Sequence, residues 1–115
     1  MLSKERAMNR RYLAAAIVSL SMSTAHAQDT TALRAQGQAL LAKNCARCHA
    51  IGHSGESLHR QAPPFRTLAR RYPLEALEEG LAEGFSSGHP DMPEFVFLPE
   101  QISAIIAYLR SIQAP

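Results

Sequence analysis

The sequence has no tryptophan, only two cysteines, and no apolar run able to cross a bilayer. Each scarcity closes a class of explanation. Two cysteines exclude a multi-disulfide scaffold and a four-cysteine zinc site. The run Tyr12–Met22 covers 11 residues, too few for a hydrocarbon core of roughly 30 Å. No stretch alternates convincingly between apolar and polar, and no pair of runs is joined by hairpin chemistry, so no sheet is expected. From residue 28 on, repeats and low-complexity tracts are missing as well.

What is present begins with a distinctive N-terminus. Lys4, Arg6, Arg10 and Arg11 precede the apolar run, and Ala25-His26-Ala27 follows it. A basic start, a short apolar stretch and an A-x-A site describe a secretory signal peptide, with cleavage expected after Ala27. An uncleaved anchor is the alternative, and Arg10-Arg11 fits a twin-arginine signal poorly. On this reading residues 1–27 are removed, and 28–115 form one exported, periplasmic domain without stable membrane insertion. Of the 12 basic and 10 acidic residues, four basic and one acidic go with the signal, leaving 8 against 9 and a net charge of −1. The strongly basic face that nucleic acid requires is lacking. A domain of this size buries only about 60–65% of its unfolded surface and often needs a disulfide, metal or cofactor. With four Phe and three Tyr in the whole chain, a large apolar component from outside the sequence is expected.

Three helices are predicted. Thr31 to Lys43 places Leu33, Gly37, Leu40 and Leu41 on one face, with Asp29 or Thr30 as N-cap. Leu74 to Glu83 aligns Leu74, Leu77 and Leu81 and is closed by Gly84. Pro99 to about Ile112 buries Ile102, Ile105, Ile106, Leu109 and Ile112. Residues 50–65 and 86–98, rich in Gly and Pro, read as loops. The fold class is all-α: three main helices and long loops around one core. Loops this long suit so small a domain when they wrap a cofactor.

Cys45-Ala46-Arg47-Cys48-His49 fits C-x-x-C-H, the attachment signature of c-type haem. Two thiols add to the two haem vinyl groups as thioethers, and the adjacent imidazole becomes the proximal iron ligand. The motif suits the end of a helix, where residues three apart share a face. A zinc site would have to recruit His49, His53 or His59. A thioredoxin-like pair needs a βαβ setting, and a disulfide across two residues adds little.

With these residues assembled, residues 28–115 resemble a small class I c-type cytochrome, monohaem and His/Met-ligated. The resemblance implies a cytochrome c-like fold around one covalent haem c, tethered by Cys45 and Cys48. It implies that Gly37, eight residues before the first haem cysteine, lets the last helix cross closely, with Tyr108 as the aromatic packed there. Pro63 is the counterpart of the proline whose carbonyl meets the proximal imidazole of His49, and Met92 the counterpart of the sixth ligand. Leu98-Pro99 departs from the Ser or Thr cap common at the last helix.

Read from the residues alone, Met92 is the one methionine left after the signal is removed, and it sits in a proline-flanked loop. His53 and His59 lie close to the proximal side in sequence. His89, three residues before Met92, is the serious rival, expected instead to be exposed or bonded to the loop backbone. Two strong protein ligands leave no open iron position, which describes a one-electron carrier. Its partners would be a redox donor and acceptor, a dehydrogenase, oxidase or reductase. A dedicated haem subunit of a dehydrogenase complex is the alternative. A labile sixth ligand would describe a peroxidase-like enzyme or a gas binder. The acid-free run Arg60, Arg66, Arg70, Arg71 is followed by Glu75, Glu78, Glu79 and Glu83. That segregation suits either partner steering or ordinary solvated faces.

Overall fold

A computed structural model describes residues 29–115, so the signal-peptide reading of residues 1–27 lies outside the described residues. Among the described residues there are three α-helices, one 3-10 helix and no strand. The all-α expectation holds. The helices are α1 (residues 29–44), α2 (Leu74–Glu83) and α3 (Pro99–Ile112), with the 3-10 helix Phe65–Arg70 between the first two. Strand-like pairing among the described residues is confined to one antiparallel bridge between Phe85 and Phe95. Asp29 and Thr30 lie inside α1 instead of capping it.

Residues Ala32–Pro115 form one compact unit. Its axis is α3, whose Ile102, Ala104, Ile105, Ile106, Tyr108, Leu109 and Ile112 are all buried. Ile105, Ile106 and Leu109 are fully enclosed, and each such side chain stabilises the fold by about 1.5–3 kcal/mol. Gly37 explains how α1 fits against this helix. A Cβ built there would overlap the Ala104 carbonyl oxygen and lie 2.5 Å from its carbon. Backbone atoms cannot swing aside, so only glycine permits the crossing. The approach is centred on Ala104, one turn before Tyr108, and the Tyr108 hydroxyl donates to the Ile51 carbonyl at 2.9 Å.

The helix ends follow local chemistry. Gly84 closes α2 with φ of +93°, a conformation costly for any side chain with a Cβ. At α3, Leu98 has no side-chain acceptor, but the Gln101 side chain accepts the Leu98 N–H at 2.9 Å. That is the half of a capping box that needs no hydroxyl. The 3-10 helix follows Pro64, whose ring holds φ near −60°, and buries Phe65 and Leu68 three positions apart. Gln113, just past α3, clamps it: its Nε2 donates to the Phe65 carbonyl at 2.9 Å, and its Oε1 accepts the Ala69 N–H at 2.8 Å.

Candidate cofactor site

The end of α1 carries the cysteine motif without losing its helical turn. The Cys45 N–H donates to Leu41 O at 2.8 Å, and the His49 N–H to Cys45 O at 2.9 Å. Cys45, Cys48 and His49 consequently all line one cavity of about 580 Å³. This volume lies within the roughly 300–1,000 Å³ of small-molecule and cofactor sites. Core side chains form its walls, including Leu41, Phe65, Leu68, Leu81, Ile105 and Leu109. The cavity therefore reaches into the core, while exposed residues such as Arg71, Tyr72 and Pro93 line its open side.

His49 is fixed by two restraints. Its Nδ1 lies 2.8 Å from the Pro63 carbonyl oxygen. A carbonyl can only accept, so Nδ1 carries the proton and Nε2 keeps its lone pair. Such a bond sets the tautomer and orientation of metal-ligating imidazoles. The Phe65 ring packs on His49, centroids 4.6 Å apart and tilted by 35°. The Phe65 N–H in turn donates to Ala50 O at 2.9 Å.

Both cysteines are free thiols. Burial, then the neighbouring Cys48, pushes the Cys45 thiol up to about 11. Thiolate chemistry, whether zinc binding or disulfide exchange, is disfavoured at such a position. A thioether has no proton to lose and tolerates the same burial.

Met92 also lines the cavity and is half-buried. It arrives there on a tight turn in which its N–H donates to His89 O at 3.1 Å. Phe85, Phe95 and Phe97, from the same loop region, add aromatic walls. His89, the rival ligand, lines the cavity too, as do His59 and Asp91, but its ring nitrogens have other partners. Its Nε2 lies 2.5 Å from Gln61 Oε1, and its Nδ1 accepts the Asp91 N–H at 3.3 Å. His59 pairs with Asp91 at 3.2 Å, while His53 is exposed and absent from the cavity lining.

The structure brings Cys45, Cys48, His49, Pro63 and Met92 to one cavity, with Gly37 and Tyr108 in the frame behind it. Sequence reasoning missed the contact of Phe65 with His49, although an aromatic directly after Pro63-Pro64 was the available signal. It also missed how the arginines are used. Arg66 donates to Gly55 O and Arg70 to Pro115 O, both at 2.8 Å. Arg71 lines the cavity, joined by Arg47 from within the cysteine motif.

An apolar cavity with two thiols on one turn, an imidazole offering Nε2 and a thioether sulfur has the donor set of a covalently tethered, iron-holding macrocycle. A family model described as cytochrome C oxidase, cbb3-type, subunit III matches residues 32–109. No curated protein and no solved structure matches the chain.

Proposed function

We propose, from the premise that the chain belongs to the family described as cytochrome C oxidase, cbb3-type, subunit III, and so is a small c-type cytochrome, that it is an exported one-electron carrier. Haem c, when bound, supplies the Fe(III)/Fe(II) couple. Cys45 and Cys48 would tether the group by two thioethers, while His49 Nε2 and Met92 Sδ would hold the metal. The observation that carries this reading is that all four line one apolar cavity, with His49 already held in the ligating tautomer by Pro63. The apolar walls would keep the His49 and Met92 side chains in place, so the oxidation state of the bound group could change with little reorganisation. Arg47 and Arg71, the cationic side chains lining the cavity, would meet the propionates. Residues 1–27 would act as a cleaved signal, delivering the chain to the periplasm where covalent attachment occurs.

A second reading, a resident haem subunit of an oxidoreductase complex, is favoured by one feature. Tyr72, Val96, Leu98 and Leu58 are exposed large apolar residues, Val96 at 81%. Each lines the cavity or adjoins a residue that does. Apolar side chains around a site suit a lasting interface better than a brief encounter.

Optical spectra and intact mass of the purified protein test the proposal. Sharp haem c bands on reduction, added porphyrin mass and no carbon monoxide binding are expected. Mature protein lacking that mass, from cells competent to attach haem, would end it. Rapid carbon monoxide binding would instead reassign the chain as a gas binder or peroxidase-like enzyme.

A further inference from the structure

We propose that His59, His89 and Asp91 bind one divalent ion of the zinc class, tying the turn that carries Met92 to the loop leaving the cysteine motif. The three residues come from two loops, and one ligand atom from each lies within 4.8 Å of the others. His59 Nε2 and Asp91 Oδ2 are already 3.2 Å apart. Two ligands at roughly 2.0–2.1 Å from a tetrahedral zinc ion stand about 3.3 Å from each other, so one edge of the polyhedron is in place. The rings of His59 and His89 meet edge to face with centroids 5.4 Å apart. Gln61 Oε1, beside His89 Nε2, offers a further oxygen.

The donor set selects the ion. Two imidazoles with one carboxylate suit zinc and its transition-metal neighbours, whereas magnesium and calcium require oxygen ligands. Binding has an identifiable cost. Each ring accepts a main-chain N–H at Nδ1, from Gln61 at 3.2 Å to His59 and from Asp91 at 3.3 Å to His89. Without the ion the neutral rings hold their protons at Nε2, towards Asp91 and Gln61. Coordination shifts each proton to Nδ1 with no net release, and the two long, exposed N–H contacts turn to water. Those contacts are weak beside two nitrogen–metal bonds.

The location gives the site its consequence. Asp91 immediately precedes Met92, and the Met92 N–H is bonded to His89 O. On the other loop, the His59 N–H donates to Cys48 O at 3.1 Å. An ion here staples the Met92 turn to the chain beside the haem cysteines. The ion site stands on its own side chains; only its effect on Met92 rests on the proposed function.

Calorimetric titration of Zn2+ into the purified protein, haem included, is expected to show one ion per chain, and Mg2+ none. His59→Ala and His89→Ala should each weaken Zn2+ about tenfold or more. Asp91→Asn, which keeps a hydrogen bond to His59 but loses the charge, should weaken it severalfold, and His53→Ala should leave it unchanged. Far-UV circular dichroism confirms that each variant is folded. Absence of binding, or equal binding by the His59→Ala, His89→Ala double variant, overturns the site. Saturating Zn2+ should also slow the displacement of Met92 by added imidazole severalfold. An unchanged rate with zinc bound overturns the staple, while zinc binding by a chain that carries no haem would count against the proposed function alone.

Discussion

The two sides of the cavity are built differently. On one side, His49 sits between a carbonyl and a ring, on a motif that continues the turns of α1. Behind it the 3-10 helix is clamped by Gln113, and the intervening loop is pinned by Tyr108. On the other side, Met92 rides on a loop held by its own short turn, the Phe85–Phe95 bridge and exposed contacts to Gln61 and His59. Convergent, part-buried restraints hold the first wall; solvent-facing ones hold the second. Stability in such a molecule is local, and the less protected wall opens first. On the proposed function, the imidazole would be the more firmly held ligand and the thioether the less protected one.

The comparison can be broken most severely behind the first wall. Gly37→Val sets a branched side chain into the Ala104 carbonyl, and no folded protein is expected to accumulate, as read by yield and circular dichroism. Phe65→Ala strips the ring from His49 and a buried contact from the core. A loss of about 3–5 kcal/mol in denaturant unfolding is expected. Met92→Ala, on the second wall, should cost less, about 1–2 kcal/mol for a half-buried methionine. It should keep the covalent haem, lower the reduction potential and admit carbon monoxide. If potential and ferric near-infrared band are unchanged, the two walls have been assigned the wrong ligand.

Tyr108→Phe sharpens the contrast by removing one bond and leaving the ring. The lost contact to Ile51 O should cost about 0.5–1.5 kcal/mol. Burial raises the Tyr108 phenol above its ordinary value of about 10. A raised folded value means stability that is complete below the unfolded value and lost as pH rises through the folded one. The variant should therefore flatten the alkaline limb of a stability–pH curve. Glu75→Gln is the smallest change. Its own main-chain N–H first, and the Arg110 side chain next, hold the Glu75 carboxyl below its usual value. Its contribution is present above the unfolded value of about 4.5 and fades as pH falls through the folded one. Only a slight change on the acid limb is expected for so exposed a pair.

The helices were legible in the sequence because their determinants are local. The ranges of α2 and α3 follow from apolar spacing and from Gly84 and Pro99. The cysteine motif lies at the end of α1, as residues three apart on a face require. The 3-10 helix was not legible: six residues with two apolar positions give too short a period to read. The pairing of His59 and His89 with residues of the other loop was hidden for a different reason. It joins positions about thirty apart through side chains that carry no periodic signal. The use of two arginines to bond main-chain carbonyls was hidden for the same reason, since Gly55 O and Pro115 O carry no side-chain signal.

The passage of the α1 backbone against Ala104 joins positions at nearly opposite ends of the compact unit. Contacts of such long range form late in folding. A nascent chain therefore cannot make this contact until almost all of it has emerged. On the proposed function, that delay would keep the chain open for export and leave both thiols reachable for haem attachment.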